Sequence, residues 1–293
     1  MTHPPLARPM GFSLVTPSTV EEALRELAAP GPEPTAVLAG GSDLLLDLEA
    51  GRRRAGRLLS LRRLPWNRLR WEGDSLVIGS TAPLRALELD EAVRRKLPGL
   101  WEGVRAVGGV ALRLRATVGG NLGRASPASD LIPILLAYEA VVHLVGPSGP
   151  RDAALADFVG SSRSPAIARG ELIESVTVPF AAPSAYVWQR VRPANDISQV
   201  GVAAVGGTHD GRWRLALGGV TPGAQRLPGA EAHLAEPRPT PEAIDRAARE
   251  ASEHAPFLDD KRATEPYRRR LAGVLVRRAV DLVLRRSPQE GVP

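Results

Sequence analysis

No cysteine occurs anywhere in the 293 residues, which removes disulfides, thiol catalysis and any iron–sulfur cluster ligated by this chain. Lysine is nearly missing too: of 38 basic residues only Lys96 and Lys261 are lysine, so the formal charge of +6 is carried by arginine scattered along the chain. Aromatics at 4% are too few for a base-stacking surface, and the arginine excess reads as solvated charge with a coding bias rather than as a nucleic-acid footprint. There is no apolar run of about 18 residues, the length a membrane-spanning helix needs. The N-terminal MTHPPLARPM lacks the apolar centre of a secretory signal, and a cytoplasmic protein is expected. Neither G-x-G-x-x-G nor G-x-x-x-x-G-K-[ST] appears, nor G-x-S-x-G, so ordinary nicotinamide folds, nucleoside triphosphatases and hydrolase elbows lose their main warrant. The five histidines, His3, His143, His209, His233 and His254, are too dispersed for a metal site.

What is present is a full-sized globular chain, 43% hydrophobic and 24% charged, long enough for two or three compact units. Gly11 to Val15 predicts a strand, Thr16 to Thr19 a cap and a helix through Leu27, and Thr35 to Leu38 a second strand, giving a β-α-β start. Leu44 to Leu48 begins a helix that stops at Gly51. Leu58 to Leu61 predicts a strand, and Arg68 to Trp71 with Ser75 to Ile78 a hairpin. Helical patterns follow over 84–97 and 100–107, and PASDLIPILLA over 127–137 predicts an apolar helix capped by Ser126 and bounded or kinked at Pro133. Strands are expected at 140–145 and 173–178, with a short helix at 155–159 between them and a hinge at 179–183 after them. Strands at 185–191, 200–206 and 213–220 precede helices at 241–254 and 264–285, an α+β arrangement.

Two stretches carry chemistry: LAGGSDLL from Leu38 to Leu45, and TVGGNLGRASPASD from Thr117 to Asp130. Each pairs adjacent glycines with a hydroxyl (Ser42, Thr117) and an amide or carboxyl side chain (Asp43, Asn121). Without Cβ atoms, successive amides of such a pair can point into one concavity, as a phosphate requires. Alone, each is equally well a tight turn; together they predict one extended anionic ligand held from two sides by main-chain amides at Gly40-Gly41 and Gly119-Gly120, without a lysine. Asp130 reads either as an early-turn acid favouring a helix dipole or as a ligand contact, and Asp196 in RPANDIS as a turn residue unless context makes it functional.

LAGGSDLL, ATVGGNLGRASPASDLIPILLA and RPANDISQVGVAAV together resemble, in order and spacing, the flavin subunits of the molybdenum hydroxylases, the carbon monoxide dehydrogenase and xanthine dehydrogenase type. The resemblance runs from Gly11 to Arg285. It implies an α+β fold: a two-subdomain FAD-binding fold of the vanillyl-alcohol-oxidase or PCMH type, with subdomains at 1–56 and 57–179, and a small C-terminal domain at 180–293. It implies an FAD bound noncovalently, since Ser42 stands where related flavin folds attach the cofactor to histidine. Val37, Leu38, Ala39, Gly40, Gly41, Ser42, Asp43 and Leu44 would wrap one side of the diphosphate, and Thr117, Val118, Gly119, Gly120 and Asn121 the other. Val107, Gly108, Asp130 and Ile173 match positions near the cofactor. The family often has a lysine near the flavin; here Trp188-Gln189-Arg190 leaves Arg190 or Arg192 to supply the cation. The implied partners are a molybdopterin-containing large subunit and a [2Fe-2S] small subunit, with electrons leaving through FAD and no catalytic side chain in this chain. Other readings of the loops are a stand-alone NAD(P)H-dependent flavin oxidoreductase and a non-catalytic phosphate-ligand or assembly module.

Overall fold

The structure, a computed structural model, describes residues 11–31, 33–159, 165–179, 182–193, 195–206, 211–219, 223–257 and 259–287. MTHPPLARPM, the centre of the expected hinge at Phe180 and Ala181, Ala194 of RPANDIS, His209 and Val220 lie outside the described residues.

The first unit comprises β1 (Ser13–Val15), α1 (Val20–Ala28), β2 (Thr35–Leu38), α2 (Leu44–Glu49) and β3 (Arg57–Ser60). Its sheet is parallel, in the order β1-β3-β2. Successive side chains of a strand point to opposite faces, so Val37 and Leu59 meet Ala23, Leu24 and Leu27 of α1, while Ala36, Leu38 and Leu58 meet Leu44, Leu45 and Leu48 of α2. Thr19 caps α1, its Oγ1 accepting from the Glu22 amide at 3.2 Å. A boundary between residues 56 and 57 does not hold, because Arg57–Ser60 is the central strand that both neighbours pair with.

The second unit begins with the hairpin β4 (Leu69–Glu72) and β5 (Ser75–Gly79). Six helices follow: α3 (Leu84–Leu89), α4 (Glu91–Lys96), α5 (Pro98–Ala106), α6 (Val110–Arg113), α7 (Val118–Arg124) and α8 (Ile132–Ala137). It closes with β6 (Val141–Gly146), β7 (Gly149–Ala154), α9 (Leu155–Val159) and β8 (Leu172–Val178), giving an antiparallel sheet in the order β4-β5-β8-β6-β7. The helical run over 84–97 is broken at Asp90, whose carboxylate accepts from the Ala92 and Val93 amides at 2.8 and 2.9 Å and so starts a new helix. The apolar helix expected from Pro127 begins only at Ile132. Ser126 does not cap it: Leu131 stands at the cap position, Ser129 Oγ accepts from the Leu131 and Ile132 amides, each at 3.2 Å, and Ser126 closes a local turn onto Ala128. Pro133 therefore stands in the first turn, where a missing N–H costs nothing and no kink follows.

The third unit comprises β9 (Ser184–Gln189), β10 (Val200–Val205), β11 (Arg214–Gly218), β12 (Gln225–Arg226), α10 (Pro228–Glu231), α11 (Pro241–His254) and α12 (Glu265–Arg286), its sheet ordered β12-β11-β10-β9. Every residue of β10 is buried, because both faces are covered. Val202 and Ala204 pack with Ala248, Leu275 and Ala279 of α11 and α12, while Ala203 and Val205 join the core of the second unit. This sheet is thus a wall shared by two units, and Arg286 at the end of α12 fastens it by donating to Glu102 of α5 and to the Ser184 carbonyl.

A second fastening sits at the other end of α12. Arg268, 4% exposed, donates to the Gly219 carbonyl at 2.7 Å and to Asp260 at 2.6 Å. Partial burial pushes the Asp260 carboxyl upward, but the Arg262 amide and the Arg268 guanidinium outweigh it and hold the group at about 2. A carboxyl lowered in the folded state adds stability above its unfolded value and loses it as pH falls through the folded one. Asp260→Asn is therefore expected to lower the melting temperature at pH 7, with the gap to wild type closing toward pH 2; a gap independent of pH in circular-dichroism melts would rule this out.

Candidate functional site

The first glycine loop leaves β2 at Leu38 and enters α2 at Leu44. Between them the amides of Gly40, Gly41, Ser42 and Asp43 donate to no protein group among the described residues. Four unpaired consecutive donors on a connecting loop are unusual and need water or a ligand. A Cβ on Gly40 would lie 1.9 Å from the Arg115 carbonyl oxygen, so only glycine lets this loop press against the chain entering the second one.

The second loop is built otherwise than its sequence predicts. Its glycines belong to α7 itself: Thr117 caps the helix, the Gly119 amide donates to Ser80 O at 2.9 Å, and the Gly120 amide donates to Thr117 Oγ1 at 3.1 Å. These two amides are occupied and cannot grip a phosphate. What the second loop offers is a bare helix face, where Gly120 and Gly123 stand one turn apart with no side chain. A Cβ at Gly120 would come 3.9 Å from Ala39 Cβ, which places the two loops face to face.

Between them lies a cavity of about 610 Å³, within the roughly 300–1,000 Å³ usual for small-molecule sites. Val37, Ala39, Gly40, Gly41, Ser42, Asp43 and Leu44 line one side, Thr117, Gly119, Gly120 and Asn121 the other, and Val107 and Ile173 complete the wall. Leu38 does not line it; its side chain faces the small core under α2. Val118 is fully buried in the main core, and Gly108 stands behind Val107 with its carbonyl taken by Arg113 at 3.0 Å. Asp130 and Arg190 also lie off the cavity wall.

Several lining residues escaped the sequence reading. Arg53 and Arg124 bring guanidinium groups to a site whose loops carry no lysine, and Asp47, Ser80, Leu112 and Gly123 line it too. The Ser80 hydroxyl is buried on this wall without a protein partner. Only Gly123 and Arg124 had a readable signal, since they follow Gly120 at helical spacings of three and four and so share its face. Asn121 has its side-chain orientation set by Ser129, whose hydroxyl donates to Asn121 Oδ1 at 2.7 Å and leaves the Nδ2 donors free. Free amides, a side-chain-free helix face, an unpartnered hydroxyl and the Arg53 guanidinium fit the diphosphate and ribose hydroxyls of a dinucleotide, while the Arg124 guanidinium is taken by Asp47.

Asp130 is neither an early-turn acid nor on the wall. It is buried at the junction of the second and third units, where Tyr186 Oη donates to its Oδ1 at 2.7 Å and the Ser198 hydroxyl lies alongside. Burial pushes its carboxyl up, against the pull of Ser198, Tyr186 and the nearby Arg190. Tyr186 and Trp188 stack with ring centroids 5.7 Å apart, and Arg190 lies over Trp188 while donating to the Ala106 carbonyl at 3.2 Å, directly before Val107. Tyr186 and Trp188 alternate along β9 and share one face, and Arg190 follows directly after the strand ends at Gln189. Arg192 instead points outward to Asn195 and Asp196, and Asp196 is a turn residue, accepting from the Val191, Arg192 and Ile197 amides. Tyr186→Phe would remove one of the donors to the buried carboxyl; a loss of about 1–3 kcal/mol in urea unfolding is expected, whereas an unchanged midpoint would show that this bond contributes nothing.

Among the described residues no helix is long and apolar enough to cross a membrane. Residues 10–181 match the family described as the FAD binding domain in molybdopterin dehydrogenase, and residues 185–283 the CO dehydrogenase flavoprotein C-terminal domain. The carbon monoxide dehydrogenase medium chain of Hydrogenophaga pseudoflava is 29% identical over 279 residues, covering 93% of this chain and 97% of its own. The glyceraldehyde dehydrogenase medium chain of Sulfolobus acidocaldarius is 28% identical over 278 residues, covering 92% and 98%. A solved carbon monoxide dehydrogenase from Hydrogenophaga pseudoflava superposes with a TM-score of 0.87 at 29% identity, over 94% of this chain and 98% of that one.

Proposed function

Because the chain belongs to the family of FAD-binding subunits of the molybdopterin dehydrogenases, we propose that it carries electrons from the iron–sulfur clusters of a partner, through FAD, to an external acceptor. The partners proposed are a small [2Fe-2S] subunit and a large molybdopterin-containing subunit, in a complex working in the cytoplasm. The relatives are named for chemically unlike compounds, carbon monoxide and glyceraldehyde among them, while matching this chain over nearly its full length. Substrate choice then belongs to another subunit.

The observation that carries the reading is the cavity between the two glycine loops. FAD supplies the exchange between one-electron and two-electron transfers when bound. This chain's residues hold and orient it: the Gly40 to Asp43 amides bind the diphosphate, the bare face of α7 lets it approach, and Asn121 donates beside it. Arg190, off the cavity wall, donates to the Ala106 carbonyl and lies over Trp188, so it would act behind Val107, which with Ile173 lines the cavity and excludes water there. No side chain acts as acid or base on a substrate. The FAD-loaded chain assayed alone with NADH and a dye is expected to show no steady turnover; sustained turnover without partners would establish instead a self-sufficient NAD(P)H oxidoreductase.

A further inference from the structure

The first unit is attached to the second through apolar packing of Leu64, Trp66 and Leu172 against α1 and β3, through the close backbone approach of Gly40 to Arg115, and through one ion pair. Asp47 of α2, 7% exposed, has both carboxylate oxygens engaged. Arg52 of its own unit donates to Oδ1 at 2.8 Å, and Arg124 at the end of α7 donates to Oδ2 at 2.9 Å. Among the described residues no other ion pair joins these two units. Asp47 and Arg124 also line the cavity, one from α2 after the first glycine loop and one from the end of α7, which carries the second pair of glycines. The bond therefore joins the two walls that would face a bound cofactor.

Charge and burial favour a bond that holds rather than one that drifts. Arg52, ahead of Arg124, keeps the Asp47 carboxyl below the usual carboxylate range, so it stays ionised. Its burial makes that charge dependent on protein partners. Arg124 is half exposed at its end, so the contact can open without dismantling a core.

We propose that the Asp47–Arg124 pair is a clasp that closes the two loop-bearing units over the FAD and sets how long it stays bound. The inference rests on the FAD reading above. Opening the clasp lets the first unit swing on its apolar attachment and frees the loop amides from the bare face of α7. Arg52 holds the same carboxylate from within one unit and bridges nothing between the two, and at neutral pH a carboxylate stays ionised without it.

The test is the dissociation rate of FAD from the full-length chain, followed by recovery of flavin fluorescence on dilution. Arg124→Ala and Asp47→Asn are each expected to release FAD about 5–10-fold faster, the double variant no faster than either single one, and Arg124→Lys partly to restore retention. Arg52→Ala should release FAD at close to the wild-type rate, which a general weakening of α2 would not allow. Continued acceleration by Arg124→Ala in the Asp47→Asn background would overturn the clasp in favour of direct contact between Arg124 and the diphosphate. Wild-type rates in all variants would overturn the clasp and leave the cofactor reading standing. A folded wild-type chain that takes up no FAD would bring down both.

Discussion

Gly120→Leu should yield a folded protein that no longer holds flavin. Gly120 lies inside α7, and it is not among the described residues with a left-handed backbone. Leucine is a better helix former than glycine by about 0.8 kcal/mol, so the helix itself gains. The new Cβ would sit 3.0 Å from Thr117 Oγ1 and 3.9 Å from Ala39 Cβ, and the rest of the side chain has only the cavity to enter. An isobutyl group there occupies the gap between the two loops. Affinity for FAD is expected to fall at least about 100-fold, a penalty of roughly 2.7 kcal/mol, with the thermal transition preserved. Fluorescence titration of the deflavinated chain measures the first and circular dichroism the second. Full flavin content in this variant would mean that the cofactor does not lie along α7.

Gly40→Ala should fail in a different way, losing stability and flavin together. The added methyl would lie 1.9 Å from the Arg115 carbonyl oxygen and 2.8 Å from its carbon, both backbone atoms. No flexible side chain is there to move aside, so the loops must separate. Overpacking of this kind typically costs about 1–3 kcal/mol, and the upper end is expected where main chain meets main chain. Parting the loops also moves the Gly40 to Asp43 amides away from α7, so FAD retention should fall with the melting temperature. A Gly40→Ala chain with wild-type melting and wild-type flavin would show that the close approach is dispensable. The pair of variants separates the two glycine roles: Gly120 keeps the cavity open, and Gly40 holds its walls together.

Much of the architecture was legible because local pattern and final burial agree. The β-α-β opening, the hairpin after Arg68 and the strand-then-helix order of the third unit all follow from apolar alternation broken by turn residues. β7 was missed because GPRDAA has no apolar alternation; it is an exposed edge strand that exists by pairing with β6. The break at Asp90 was hidden because an aspartate inside a helical pattern and one that starts a new helix look alike until the carboxylate is seen on the Ala92 and Val93 amides. In the site, the loops announced themselves through paired glycines, but which amides remain free did not. That depends on Ser80, from a distant strand end, taking the Gly119 amide. Asp47 with Arg124, and Asp130 with Tyr186, are likewise partnerships between residues far apart in sequence, which no local spacing encodes.

The cleft between the two glycine stretches is the proposed seat of the cofactor's diphosphate. Crystals of the full-length chain saturated with FAD test this most directly. Density for the diphosphate within hydrogen-bond reach of the Gly40 to Asp43 amides, lying along the Gly120 and Gly123 face, is the result expected. FAD bound elsewhere, with this cleft unfilled, would contradict it.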